Sequence, residues 1–508
     1  MATNFERRHV SKLVPADHRV LMPLLLAVAV INSATLGYDG SVMNGLLILP
    51  SYSEYFHLTT ATEGLNNAAM WIGHIIGAFI TQPIPDRIGR RRTIYVSAVV
   101  LAVGISLQAA AQNIAMFVVA RIIVGIGANI SSGAAPVLLA ELLPPRQRAR
   151  ILGLFFSCYF VGSLTSSIIN YGSQNMQSTW AWRLPSLLQF VPSLVAISIV
   201  PFVPESPRWL IAKDRNDEAL EVLIIMQGKG KTDIRKGKEE LRVIRDTLMR
   251  EARELPRNPW REILTKANRR RLVILVTFGS MIEMFGNFII SYYLTKILDQ
   301  AGITATKTQT QVQVIINCWS FAIAILGSFM LDILGRRIQM FIGVGGMVAT
   351  LLLIGGLIKH YGESTYTPGI YGTIAVIFLF QGFYAFSVTP LTSLYPTEVS
   401  PLKLRTTGIA IFRMLDSGFG LLASFAMAYA MADLGWKFYF INAAWDFVYI
   451  IIVYFTFVET KGLTLEEIAA KFEKIEVMPD AEVQTGVDED SESYTSKAEE
   501  VVSKAREV

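Results

Sequence analysis

Asp86-Arg-Ile-Gly-Arg-Arg91 recurs about half a chain later as Asp332-Ile-Leu-Gly-Arg-Arg337, and this repeat decides the fold. It does not stand alone. Glu141-Leu-Leu-Pro-Pro-Arg-Gln-Arg148 is matched by Glu398-Val-Ser-Pro-Leu-Lys-Leu-Arg405, with Glu, then Pro three later, then Arg seven later in both. Pro204-Glu-Ser206 is matched in turn by Val458-Glu-Thr460. Three motifs in the same order, each shifted by roughly half the chain, mark an internal duplication. Each falls at the end of an apolar block of about 20 residues or more, the length that crosses the hydrocarbon core as a helix. The chain therefore reads as two copies of one multi-span unit.

Composition agrees. Of 508 residues, 52% are hydrophobic and only 17% charged, with a mean hydropathy of +0.42; a soluble chain of this length needs more charge to cover its wet surface. No ~10-residue alternating segments suggest a β-barrel. The net charge of +5 sits in short loops between apolar blocks, which argues against nucleic acid as a partner. Cys158 and Cys318 both fall inside spans, so no disulfide framework is expected. Arg7, Arg8, Lys12 and Arg19 precede a first apolar block with no cleavage site, which reads as a retained span.

Twelve spans are predicted, beginning near Val20, Gly64, Thr93, Ile114, Ile151 and Arg183, then Arg271, Gln309, Gln339, Ile370, Leu404 and Lys437. The expected organisation is an N-terminal segment 1–19, a six-helix bundle 20–203, a linker 204–270, a second bundle 271–458 and a tail 459–508. From Asp217 to Glu254 the linker carries Leu220, Leu223, Leu241, Ile244 and Leu248 at helical spacing. Every even-to-odd loop is basic, through Arg87, Arg90, Arg91 and Arg92, then Arg146, Arg148 and Arg150, then Arg336 and Arg337, then Lys403 and Arg405. Lys and Arg are absent between Glu54 and Glu63. The positive-inside rule thus places both termini and the linker in the cytoplasm. Asn129, in the only Asn-x-Ser/Thr site, lies within the fourth span. The tail from about Met478, with its acidic run Asp488–Glu492, reads as disordered; Ser491 and Ser493 are candidate phosphorylation sites.

Two parallel six-helix halves around a mid-bilayer site are the architecture of major facilitator transporters. Pro85-Asp-Arg-Ile-Gly-Arg-Arg91, Pro204-Glu-Ser-Pro-Arg-Trp209, Tyr395-Pro-Thr-Glu398 and Glu459-Thr-Lys-Gly462 resemble the sugar-porter family of that superfamily. Gly37-Tyr-Asp-Gly40 with Asn44-Gly45, and Gly286-Asn287 followed by Ser291-Tyr-Tyr-Leu294, resemble its fungal lactose-permease-like branch. The resemblance covers roughly residues 20 to 470. It implies an all-α, twelve-span fold and proton-coupled import of a mono- or disaccharide by alternating access.

Acids and bases at the ends of the spans can form interhelical ion pairs that break and re-form as one half rocks. Asp86, Arg87, Arg90, Arg91, Glu141, Arg148 and Glu205, with their counterparts Asp332, Arg336, Arg337, Glu398, Arg405 and Glu459, are the candidate cytoplasmic gate. Within the spans, ionisable groups are costly and mark candidate function. Asp39 and Arg121 sit at similar depth, about 10–15 Å below the outer surface, and can pair; the resemblance matches them to the family's proton-coupling Asp and its Arg. Glu283, Arg413 and Asp416 fall near the midplane. Arg413 and Asp416, at i,i+3, can neutralise each other, leaving Glu283 to pair with Arg413, to accept hydrogen bonds from a polyhydroxyl solute, or to attract a cation.

Asn287, Tyr292, Tyr293 and Pro390 keep to the branch pattern, and Gln189 joins them as a candidate solute contact. Elsewhere the pattern breaks. Sugar porters usually carry an amide at Phe156, Gln-Gln at Ile282-Glu283, Asn at Phe288 and often Trp at Ser393. Amides suit hydroxyls because each both donates and accepts, so this pocket is drier and more charged. A polyol, an organic acid or a cationic natural product therefore competes with a sugar as cargo. A non-transporting nutrient sensor is the rival of another class. Enzymatic motifs are missing: no P-loop, nucleotide fingerprint or Ser nucleophile motif, and five histidines without metal-ligand spacing. The expected partners are the bilayer, a small polar solute and protons, with no cofactor beyond the proton gradient, no metal and no obligate protein partner. A plasma-membrane location is expected.

Overall fold

A computed structural model of the chain describes residues 8–15, 17–81, 83–143, 155, 157–227, 234–254, 259–266, 268–361, 366–400, 404–463, 468 and 471–472, without the side chains of 18, 83, 250–254, 259, 292, 393 and 405–406. Phe156, Arg148 and the tail with Ser491 and Ser493 lie outside the described residues, as do the side chains of Tyr292, Ser393 and Arg405. The chain forms two compact units, Met1–Gly462 and Leu463–Val508. All the helices below belong to the first.

Every regular element among the described residues is helical. The principal ones, in chain order, are α1 (His18–Ile48), α2 (Thr60–Thr81), α3 (Arg90–Ala109), α4 (Ile114–Leu142), α5 (Tyr159–Ser173) and α6 (Trp180–Phe202). Then come α7 (Pro207–Ala212), α8 (Asn216–Met226) and α9 (Ile234–Glu254). The second series is α10 (Arg269–Met284), α11 (Asn287–Gln300), α12 (Thr306–Leu334), α13 (Arg336–Tyr361), α14 (Thr367–Val399), α15 (Arg405–Leu434) and α16 (Lys437–Thr456). Among the described residues, nine of these are long and apolar enough to cross a membrane: α1, α3, α4, α6, α12, α13, α14, α15 and α16. The chain is a multi-pass integral membrane protein.

The other three expected spans have particular chemistry. Helix α2 has 22 residues but carries Glu63, Asn66, Asn67 and His74. Helix α5 is only 15 residues long and follows the undescribed stretch 144–154. The seventh span is broken into α10 and α11 at Gly286, whose φ of 77° is left-handed and suits a residue without Cβ. A second kink lies at Tyr293, φ −127° and ψ 27°.

Gly37, Gly40 and Gly45 do not interrupt the first span, because α1 is continuous from His18 to Ile48. They lie instead at close approaches to a neighbouring helix. A Cβ on Gly37 would stand 1.8 Å from the Tyr159 carbonyl oxygen, and one on Gly162 would stand 1.8 Å from that of Ala34. The bare glycine faces let α1 and α5 pack backbone to backbone, as small residues do between membrane helices.

The linker helices pack on the motif-bearing end of the first six helices. Leu138, Leu142, Phe155 and Val203 share one core with Trp209, Leu210, Val222 and Ile225, and Leu241, Ile244 and Leu248 cover it. A strap from the N-terminus enters the same core through Val10 and Val14. Buried Glu221 fastens it, accepting N–H bonds from Arg8 at 3.0 Å, His9 at 3.1 Å and Val10 at 2.8 Å, and meeting His9 Nδ1 at 3.0 Å. Burial alone pushes this carboxyl up, but the hydrogen bonds from Arg8, Val10 and His9 outweigh it and hold it below the usual glutamate value. A depressed carboxylate stabilises the docked strap above its ordinary pKa, and that contribution is lost as pH falls through the lowered one. Glu221→Ala should therefore free the strap at neutral pH and raise the trypsin cleavage rate at Lys12 by about tenfold, equivalent to ~1.4 kcal/mol. The wild-type strap should release only in acid. An unchanged cleavage rate in the variant would contradict the fastening.

Candidate functional site

The repeated motifs fold into repeated constellations. Gly89 has φ 98° and Gly335 has φ 89°, and each precedes a helix, α3 and α13 respectively. The exposed N–H groups at the starts of these helices attract a carboxylate. Glu205 supplies it to α3, accepting from Arg90 N at 2.9 Å and Arg91 N at 3.2 Å. Glu459 does the same for α13, accepting from Arg336 N and Arg337 N, both at 2.9 Å. A Cβ on either glycine would collide with its glutamate, at 2.4 Å for Gly89 and 2.7 Å for Gly335. Burial pushes the Glu205 carboxyl up, against the pull of these backbone donors and of Arg90.

The arginines complete each constellation. Arg90 meets Asp86 at 3.1 Å and Glu141 at 3.1 Å. Arg336 meets Asp332 at 3.6 Å and grips Glu398 in a two-pronged pair, at 2.8 and 3.2 Å. Arg91 reaches the Pro201 carbonyl at 3.0 Å, and Arg337 the Tyr454 carbonyl at 2.6 Å. Arg87 is exposed. These bonds all join helices of the same half.

Other contacts join the first series of helices to the second, Ser157 meeting Ser328 at 3.4 Å among them. Glu63 on α2 pairs with Lys296 on α11 at 3.0 Å. Asn44 donates to the Ile290 carbonyl at 3.4 Å, Thr310 to Gln174 Oε1 at 2.8 Å, and Asn317 to Ser167 at 2.7 Å.

Asp39 and Arg121 are both fully buried and come together, though not as drawn from sequence. Arg121 Nη1 donates to the Asp39 backbone carbonyl at 3.2 Å, and Nη2 to the Met70 sulfur at 3.7 Å. Neither carboxylate oxygen of Asp39 has a hydrogen-bond partner among the described residues. A buried carboxylate left without donors is expensive, and native structures tolerate one where it has work to do.

The second-half group also assembles. Arg413 Nη1 stands 3.6 Å from Asp416 Oδ2, and Glu283 lies within electrostatic reach of Asp416. The sequence offered Arg413 as a partner for Glu283; the fold supplies a second acid, because α10 packs on α15 at Gly279, next to Asp416. Two neighbours were missed. Tyr384 lies within electrostatic reach of Glu283 and Asp416, and Tyr159 lies within reach of both Glu283 and Asp39. Tyrosines abound in apolar spans, and nothing local distinguishes these two.

Tyr293 is buried and donates to the Ser424 carbonyl at 2.7 Å, and Pro390 is buried inside α14. Several buried polar atoms have no hydrogen-bond partner among the described residues: both amide atoms of Gln189 and of Gln313, Asn287 Oδ1, Gln381 Oε1, His74 Nε2 and Trp71 Nε1. Of these only Gln189 and Asn287 were foreseen. Such atoms suit a polar guest.

Buried polar and charged groups among helices long and apolar enough to cross a membrane fit a solute transporter rather than an enzyme. The chain belongs to the Sugar (and other) transporter family, whose model matches residues 25–472, within the major facilitator superfamily. The MFS glucose transporter mfs1 of Aspergillus flavus is 28% identical over 475 residues, covering 88% of this chain and 89% of that one. The quinate permease of Neurospora terricola is 27% identical, covering 88% of each. The fold is shared with the proton:xylose symporter XylE bound to 6-bromo-6-deoxy-D-glucose, at a TM-score of 0.72 and 21% identity, covering 90% of this chain and all of that one.

Proposed function

We propose that this chain is a proton-coupled symporter that imports a sugar, a mono- or disaccharide, by alternating access. One observation carries the reading: the buried Asp39 carboxylate, unpartnered beside Arg121. It is placed to take a proton when the path to one side is open and to yield it when Arg121 comes closer. On this reading twelve spans form two six-helix bundles, 20–203 and 271–458, joined by the linker 204–270. Both termini, with the segments 1–19 and 459–508, face the cytoplasm of a plasma-membrane protein of the fungal lactose-permease-like branch. The Glu205 and Glu459 constellations, with Arg148 and Arg405, open and close the cytoplasmic gate. The solute contacts Gln189, Asn287 and the Glu283–Asp416–Arg413 group, with Phe156, Tyr292, Tyr293, Pro390 and Ser393 around it.

Glu283 in place of a neutral amide favours a second reading, the same mechanism with a polyol, organic acid or cationic metabolite as cargo. The quinate permease among the relatives supports an acid. A non-transporting sensor is the third. Purified protein in liposomes, offered a panel of sugars, polyols, acids and amines beside a pH electrode, separates them. Solute-driven alkalinisation of the medium is the expected result; binding without flux would defeat the transporter reading.

A further inference from the structure

The N-terminal strap is anchored on one face and open on the other. Val10 and Val14 point into the core that the linker shares with α4, and Glu221 on α8 gathers the N–H groups of Arg8, His9 and Val10 within 3.1 Å. Ser11 faces out: it is exposed, and its Oγ accepts the Leu13 N–H at 3.3 Å from within the strap. Arg8 stands three residues before it and Arg7 four. An arginine at that spacing, ahead of an exposed hydroxyl, suits a serine kinase whose substrate cleft is lined with carboxylates. Arg90 precedes Thr93 and Arg183 precedes Ser186 at the same spacing, but both of those hydroxyls are fully buried.

A phosphate on Ser11 carries a charge of about −1.5 to −2 at neutral pH. Its neighbour Val10 donates to Glu221 Oε2 at 2.8 Å, and consecutive Cα atoms are ~3.8 Å apart. Phosphate and carboxylate therefore lie within ~10 Å of each other, about one Debye length at 0.1 M salt. They repel, and both draw on the donors of Arg8 and His9. Glu218, one turn before Glu221, already holds Arg215 in an ion pair.

We propose that Ser11 is a phosphorylation site for a kinase that reads Arg8, and that its phosphate releases the strap from Glu221. In the step, Ser11 Oγ forms a bond to the γ-phosphorus of ATP and the bond from that phosphorus to the bridging oxygen breaks. ADP leaves, and the hydroxyl proton passes to the kinase's carboxylate base. Kinase and Glu221 compete for the same backbone, Arg8 to Val10, so the undocked strap is the substrate. Linkage then runs both ways: opening exposes the serine, and the phosphate favours the open form. Release uncovers Val10 and Val14 and the core they share with Leu138 and Leu142 on α4, beside Glu141 of the first constellation. The proposal rests on the cytoplasmic placement of the N-terminus, where kinase and ATP are found.

Full-length protein in detergent, incubated with ATP and a calmodulin-dependent serine kinase, tests the site by phosphopeptide mass spectrometry. Detergent opens both faces of the molecule to the enzyme, so failure here is distinct from failure of the orientation reading. Phosphate on Ser11 is the expected result. It should appear about tenfold faster in Glu221→Ala, whose strap is already free. If that variant fails to fold, Glu221→Gln, which keeps the shape and one acceptor, should be labelled at a rate between the two. Hydrogen exchange at the His9 and Val10 amides should quicken about tenfold once the wild-type protein is phosphorylated. Ser11→Ala, treated with the same kinase, should keep its protection. An unlabelled Ser11, or a phosphorylated strap whose amides exchange no faster, would overturn the proposal.

Discussion

Asp39→Asn abolishes accumulation of solute against a gradient while equilibrium exchange continues. One charge moving down 100 mV is worth ~2.3 kcal/mol. Each ~1.4 kcal/mol is about tenfold in an equilibrium constant, so a carrier coupled to one proton accumulates solute about 50-fold. An amide occupies the same space as the acid but neither binds nor releases a proton, so the variant should carry its solute only to equal concentration. The local structure should tolerate the change. The carboxylate oxygens have no protein hydrogen bond to lose, and the Arg121 contact uses the backbone carbonyl, which asparagine keeps. Counterflow and net uptake measured in the same liposomes separate the two activities. Accumulation equal to wild type would remove Asp39 from coupling.

Gly162→Ala should prevent assembly of the first six helices or leave a protein that does not transport. The added methyl would stand 1.8 Å from the Ala34 carbonyl oxygen, 2.6 Å from its carbon and 2.8 Å from Tyr38 N. These are backbone atoms of a continuous helix, so no rotamer change relieves the clash; α1 and α5 must separate. Overpacking a core usually costs about 1–3 kcal/mol, and a wedge between two helix backbones belongs at or above the top of that range. Asp39 rides on α1 one turn beyond Ala34, so separation also displaces the proton site. Gly37→Ala, which collides with Tyr159 from the other side, should behave alike. A monodisperse, thermally stable Gly162→Ala protein with normal uptake would show that the two helices do not meet as described.

Much of this was legible in the residues. The apolar blocks gave α1, α3, α4 and the long helices of the second half, because a bilayer imposes length and hydrophobicity on any helix that crosses it. The duplicated motifs recur as two matching constellations, in which Arg90 pairs with Glu141 and Arg336 with Glu398. Less legible was what each group touches. Arg121 holds the carbonyl of Asp39 rather than its carboxylate, and Glu283 comes within electrostatic reach of Asp416 although sequence separates them by more than a hundred residues. Glu221 lies on a linker helix and seats the N-terminal strap, a role no local pattern marks.

By itself the sequence determined the class: a helical, multi-pass membrane chain with a duplicated interior and charged groups at costly depths. Those properties follow from local rules, the length of a span, the sign of a loop and the recurrence of a motif, each readable within a few residues. Only the tertiary structure decided which helices meet at bare glycines, which acid faces which, and which buried polar atoms are left without partners. A hydrogen bond or a clash depends on angstroms between residues far apart in the chain, and no local pattern encodes that distance.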